Sequence, residues 1–168
     1  AWLETKLGSM LAISDQQQLY LLEFVDRRGL ETEIAVLRSR LNAVIIPQQT
    51  AIIQQLKQEL TEYFAGNRTA FTVPIALIGS DFQKAVWQQL LTMKIGETYS
   101  YKQLAQRIGN EKATRAVANA NGKNQLALIV PCHRVINSDG SIGGYGGGVE
   151  RKKGLLALEK QVQPTTMI

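Results

Sequence analysis

Apolar and polar positions change period several times along the chain, and those changes outline its elements. The first 26 residues alternate loosely around a polar break at Ser14-Asp15-Gln16-Gln17-Gln18, which predicts two strands and a turn, with Leu19 to Val25 the stronger strand. From Leu30 to Leu41 and from Thr50 to Phe64 the period lengthens. Ile34, Leu37 and Leu41, then Ile52, Ile53, Leu56, Leu60 and Phe64, recur at helical spacing, and Gly66-Asn67 stops the second helix. A short segment, Phe71-Thr72-Val73-Pro74, is expected to return to the sheet. Ser80-Asp81 caps a third helix whose apolar face is Phe82, Val86, Leu90 and Leu91. The stretch 1–78 reads as a small α/β domain without recognisable chemistry, and 79–168 as a second, mostly helical unit.

In that second unit Ser100 caps a helix from Tyr101 to Ile108, Gly109-Asn110 breaks it, and Glu111 to Asn121 forms another. Two short helices joined by a Gly-containing turn fit a helix-turn-helix and equally a plain helical hairpin. An apolar run from Leu126 to Ile136 follows, interrupted by Cys132-His133-Arg134. A turn at Ser138-Asp139-Gly140, the glycine cluster Gly143 to Gly148, a helix from Glu150 to about Lys160 and a mobile tail from Gln161 to Ile168 complete the expected order.

Composition narrows the chemistry. The chain of 168 residues holds one Cys and one His, and these are sequence neighbours, so a zinc site of about four N or S ligands fails on count. A single thiol forms no internal disulfide, which makes reducing, cytoplasmic surroundings the expectation. No apolar run approaches the roughly 18 residues of a membrane span. The opening Ala1-Trp2-Leu3-Glu4 has neither the basic nor the apolar region of a secretory signal. A net charge of +5 and a pI near 9.4 suit a polyanionic partner without requiring one.

Cys132 has two readings on its own. A lone buried Cys is commonly an inert small hydrophobe. Yet a buried strand seldom spends three consecutive positions on Cys-His-Arg, because each polar group removed from water needs a partner. A thiol with a pKa near 8.5 is mostly protonated at neutral pH and needs a base to become a nucleophile. His133 is that base unless it is a satisfied core histidine. Neighbours in extended chain point to opposite faces, so either the backbone turns at Cys132 or a water links the two side chains. A carboxylate behind the imidazole would fix its tautomer, and Glu159 is one candidate among several.

Pro131-Cys132-His133-Arg134-Val135 resembles the signature of the O6-alkylguanine-DNA alkyltransferases, suicide repair proteins. Ser100-Tyr101, Arg115-Ala116-Val117, Asn124, Gly144-Tyr145 with Gly147, and Glu159 fall in that family's order, so the likeness runs from Ser80 to Glu159. The first half is similar only in character and lacks the cysteine cluster with which adaptive-response relatives repair phosphotriesters. The shorter constitutive bacterial type is the closer likeness. The fold implied is a small α/β, ribonuclease-H-like domain followed by a mostly helical, winged helix-turn-helix-like domain carrying the Cys.

The resemblance also implies roles. Cys132 would take the alkyl group, His133 would receive the thiol proton through a water, Glu159 would orient His133, Tyr101 would protonate the departing guanine, and Asn124 would brace an internal turn. The base must leave the stack, at a cost of a few kcal/mol. Arg115 resembles the finger that fills the gap, although an isolated Arg is ordinarily a solvated charge. Thr114, Ala116, Ala118, Asn119 and Lys123 would meet DNA, the small Ala side chains suiting a minor groove and reading no sequence. Asn119 and Asn121 depart from the small or apolar residues that relatives often carry. Pro131, Arg134, Val135, Tyr145, Gly146 and Gly147 would line the base pocket, Gly146 standing where some relatives carry a side chain. No cofactor or metal is implied, and duplex DNA containing O6-alkylguanine is the expected partner of a monomer. Two other classes remain open: a passive lesion binder, whose known members carry Trp in place of Cys132, and a Cys-His hydrolase, which would turn over repeatedly.

Overall fold

A computed structural model describes residues 1–162. The chain opens with three antiparallel strands, β1 (Trp2–Thr5), β2 (Gly8–Ser14) and β3 (Leu19–Phe24), in the order β1-β2-β3. The sequence pattern predicts only two strands here. The additional reversal is a tight turn at Lys6-Leu7, closed when Thr5 Oγ1 accepts from the Leu7 amide at 3.2 Å and donates to the Gly8 carbonyl at 2.7 Å, with Gly8 at φ 127°.

Leu19, Leu21, Leu22, Glu23 and Phe24 are buried, so β3 is covered on both faces. Its free edge is taken by two isolated parallel bridges, Leu19 with Ile75 and Leu22 with Leu126. The expected strand return at Phe71 to Pro74 is therefore displaced to Ile75. The earlier residues are held on a helix instead: Glu59 accepts from the Thr72 amide and hydroxyl at 2.7 and 2.8 Å and from the Val73 amide at 3.2 Å.

Helix α1 (Leu30–Leu41) buries only Leu37. Helix α2 (Ala51–Phe64), capped by Thr50, lays Ile52, Ile53, Leu56, Leu60, Tyr63 and Phe64 into the core as its periodicity predicts. In α3 (Asp81–Leu90) Ser80 and Gln83 form a capping box. The face of α3 is Val86, Trp87 and Leu90; Leu91, expected inside, is 41% exposed, and Trp87 takes the inward position, donating from Nε1 to the Ala120 carbonyl at 3.0 Å.

A second capping box, Ser100 with Gln103, starts α4 (Tyr101–Arg107). Past Gly109, at φ 82°, one 3-10 turn (Glu111–Ala113) leads into α5 (Thr114–Gly122), completing a helix-turn-helix pair. A short parallel pair, β4 (Tyr99–Ser100) with β5 (Val135–Ile136), joins this pair to the cysteine segment, and α6 (Val149–Gln161) packs behind it. The expected tail beginning at Gln161 starts inside that helix, and its residues 163–168 lie outside the described residues. Among the described residues no helix is long and apolar enough to cross a membrane.

Candidate active site

The run from Leu126 to Pro131 is a set of turns, not a strand. Leu128 is buried at φ 72°, a left-handed conformation costly for a branched side chain. The Val130 amide folds back on the Leu126 carbonyl at 2.9 Å, and at Pro131 (φ −82°, ψ 62°) an inverse γ-turn closes when the Cys132 amide donates to Val130 at 2.8 Å. Asn124 fills the middle. Its Oδ1 accepts from the Leu126 amide at 2.9 Å, and its Nδ2 faces the Val130 carbonyl at 2.8 Å and Cys132 Sγ at 3.2 Å. Cys132–Arg134 then form a single 3-10 turn, so the backbone turns at the cysteine. Successive side chains there diverge by about a third of a turn rather than pointing to opposite faces.

His133 is fully buried. Its Nε2 lies 2.6 Å from Glu159 Oε2 on α6, while its Nδ1 is buried without a protein partner. Glu159 also receives Arg134 Nε at 2.8 Å and the hydroxyl of Tyr63 at 2.6 Å. Burial works against a charge on Glu159, but the His133 and Arg134 contacts overcome it and hold the carboxyl down at about 2. An anionic acceptor this close assigns the proton to Nε2 and leaves Nδ1 as a bare lone pair. Burial lowers the His133 pKa despite Glu159, so the imidazole rests neutral. Burial likewise pushes the Cys132 thiol up, which Asn124 only partly offsets. The resting centre is a thiol and a neutral base, not an ion pair.

Above Cys132 lies a cavity of about 210 Å³ lined by Arg27, Tyr101, Ala118, Asn121, Gly122, Cys132, Gly144, Tyr145 and Gly146. Tyr101 reaches it from the first turn of α4, and its hydroxyl pKa is raised by burial and by Cys132. Such a hydroxyl stays protonated and is a donor. Among the described residues no group of three or more His, Cys, Asp or Glu is placed to hold a metal.

This two-part architecture, with one thiol under a cavity beside a helix-turn-helix, has counterparts among known proteins. The family model described as "6-O-methylguanine DNA methyltransferase, ribonuclease-like domain" matches residues 1–77, and that described as "6-O-methylguanine DNA methyltransferase, DNA binding domain" matches residues 81–161. The chain belongs to the 6-O-methylguanine DNA methyltransferase family. The methylated-DNA–protein-cysteine methyltransferase of Methanosarcina acetivorans is 37% identical over 156 residues, covering 93% of this chain and 94% of that protein. The enzyme of the same name from Mycobacterium tuberculosis strain H37Rv is 52% identical over 109 residues, or 65% of this chain and 66% of that relative's length. The structure of Mycobacterium tuberculosis OGT in complex with DNA superposes with a TM-score of 0.83 at 38% identity, covering 98% of this chain and 94% of that one.

In this 6-O-methylguanine DNA methyltransferase family member the expected site residues separate into groups. Cys132, Tyr101, Ala118, Tyr145 and Gly146 share the cavity; His133, Glu159 and Asn124 stand behind it. Thr114 is partly covered, and Arg115, Ala116, Asn119 and Lys123 are exposed on or just beyond α5. Four residues expected in the pocket lie elsewhere. Pro131 makes the γ-turn, and Val135 pairs with Tyr99. Arg134 points away to Glu159 and the Met93 carbonyl. Gly147 sits against Phe24 and Tyr145.

Sequence reasoning notes Asn121 only as a departure from relatives, and misses Lys152, Tyr63 and the pair Glu23 and Arg27. Asn121 Nδ2 donates to the Cys132 carbonyl at 3.3 Å, and its position four residues after Val117 on the buried face of α5 is a legible signal. Lys152 is buried, donating to the carbonyls of Val135 at 2.6 Å and Gly144 at 3.1 Å, and burial lowers its pKa to about 8. It shares a helix face with Leu155 and Glu159, although three basic residues in a row conceal which one turns inward.

Proposed function

We propose that this protein transfers the alkyl group of O6-alkylguanine in duplex DNA irreversibly to Cys132, acting once per molecule, as a monomer in the cytoplasm. The observation that carries the reading is the Cys132 thiol at the base of a purine-scale cavity, with a neutral, carboxylate-oriented imidazole as its sequence neighbour. The names of the relatives and the DNA-bound relative point the same way.

The lesion base leaves the duplex and enters the cavity, α5 lying along the minor groove and Arg115 filling the gap. Sγ attacks the alkyl carbon in line. As the S–C bond forms and the C–O6 bond breaks, the thiol proton passes through a water to His133 Nδ1, and guanine leaves as an anion that takes a proton from Tyr101, whose phenolate is reprotonated from water while the imidazolium returns its proton to solvent. Because burial disfavours a free thiolate, proton removal accompanies attack and does not precede it. The imidazolium is stabilised by Glu159, and the thioether is chemically inert, so turnover ends. Arg107, Lys112 and Lys123 supply phosphate contacts, making binding weaken as salt rises.

Intact mass spectrometry after incubation with a duplex bearing O6-methylguanine tests the reading. One added methyl per protein, reached and not exceeded, with none on Cys132→Ala, is the expected result. Continued product formation without a mass change would identify a hydrolase, and binding without transfer a passive lesion binder.

A further inference from the structure

One wall of the cavity, adjoining the glycine cluster, comes from the N-terminal half, and no part of the mechanism above uses it. Arg27 follows β3, and its guanidinium is held from four sides. Nη2 donates to the Gly122 carbonyl at 2.7 Å and Nη1 to the Asn124 carbonyl at 3.1 Å. Glu23 Oε2 lies 2.6 Å from Nη1 and Glu33 Oε1 3.4 Å from Nη2. The group also abuts Gly146, where a Cβ would come within 2.7 Å of Cζ. An arginine with its fork committed to two carbonyls and set against two acidic side chains is a fixed part of the wall.

On its far side is a second space, a groove of about 430 Å³ whose lining includes Thr32, Val36, Trp87 and Lys123. Arg27 and Gly122 are the two residues common to that groove and to the 210 Å³ cavity. The bulk of the Arg27 side chain, seated against Gly122, is therefore the partition between them. Sites for drug-sized ligands run to roughly 300–1,000 Å³. A cavity of 210 Å³ holding a purine leaves room for a short substituent only.

We infer that Arg27, clamped by Glu23, Glu33 and the carbonyls of Gly122 and Asn124, is the specificity-determining wall that closes the reaction cavity against the neighbouring groove and restricts transfer to small O6 substituents. The inference rests on the alkyl-transfer reading. Chemistry at Sγ is unchanged by it: what Arg27 governs is which substituents fit while their first carbon reaches sulfur. Truncation at Cβ joins the two spaces.

The test compares transfer rates from duplexes carrying O6-methylguanine and O6-benzylguanine, read as mass added to the protein. In Arg27→Ala the benzyl-to-methyl rate ratio should rise about tenfold or more, the scale on which a hydrophobic pocket discriminates by size. In Arg27→Met, which keeps bulk and loses charge, it should stay near the wild-type value. Because Arg27→Ala strands buried Glu23, the double variant Glu23→Gln/Arg27→Ala is measured alongside, and its ratio should rise equally. An unchanged ratio in the folded truncation variants overturns the inference, as does an equal rise in Arg27→Met. Absence of methyl transfer by the wild-type protein would instead remove the alkyl-transfer reading itself, and this inference with it.

Discussion

Glu159 is the residue on which the buried hydrogen bonds behind Cys132 converge. Its two oxygens receive His133, Arg134 and Tyr63, three side chains brought from two different parts of the chain. Substituting Gln keeps the shape, but an amide cannot neutralise Arg134 or hold the imidazole as an anion does. Glu159→Gln should slow alkyl transfer by about 10²–10⁴, the usual span for general acid–base assistance. It should also destabilise the fold by about 3–5 kcal/mol, as breaking a buried ion pair does; single-turnover kinetics and urea denaturation measure the two effects. The pH dependence has a definite sign. With a carboxyl ordinarily near 4.5 held at about 2, the contribution of Glu159 to stability is complete above the ordinary value and is lost as pH falls through the folded one. Denaturation midpoints of the wild type should fall over that acid window, and those of Glu159→Gln should fall less. Glu159 is legible in the sequence as one of several carboxylates that could back the imidazole, and the family resemblance is what singles it out. Tyr63 is not, because its place three residues after Leu60 on the apolar face of α2 makes it look like core, and only the folded chain aims its hydroxyl at a carboxylate.

At the level of elements, α5 carries the exposed surface expected to meet DNA while its inner face carries Val117, Ala120 and Asn121. Arg115 stands exposed at its start. If it fills the gap left by the extruded base, Arg115→Ala should slow repair of duplex substrate by at least about tenfold, losing part of the few kcal/mol that extrusion requires. Reaction with free O6-alkylguanine base, which needs no extrusion, should be little changed; comparable slowing of both substrates contradicts the role. The helices are the legible elements here, because their start signals are local: Ser80 with Gln83 and Ser100 with Gln103 lie three residues apart and act within one turn. The segment from Leu126 to Pro131 is not legible. Its apolar run suits a strand, and what bends it is Asn124 bonding across six residues together with Leu128 in a left-handed conformation. No periodicity encodes either feature.

Across the whole molecule, the two halves are joined through the site itself. Leu22 exchanges backbone hydrogen bonds with Gln125 and Ala127, Arg27 holds Gly122 and Asn124, Arg151 pairs with Asp26, and Tyr63 reaches Glu159. Tyr63→Phe should therefore lower global stability by about 1–3 kcal/mol, the cost of leaving a buried acceptor short of a donor. Far-UV circular dichroism and tryptophan fluorescence, in which Trp87 is the buried emitter at the α3–α5 contact and Trp2 the exposed one, should report one coincident unfolding transition in wild type and variant alike. Separate transitions would mean that the halves are energetically independent. That there are two parts is legible from where the recognisable chemistry begins; their mutual dependence is not, since each link pairs residues about 95 or more positions apart, as in Tyr63 with Glu159 or Arg27 with Gly122. One outcome concerns biosynthesis. Glu159 stands on the last helix described, so a ribosome-bound chain that has released Cys132 but not yet α6 carries sulfur without an oriented proton acceptor. On the proposed reading, such a nascent chain reacts slowly until α6 has been made and Glu159 stands behind His133, so early lesions draw little on the thiol before the two halves have joined.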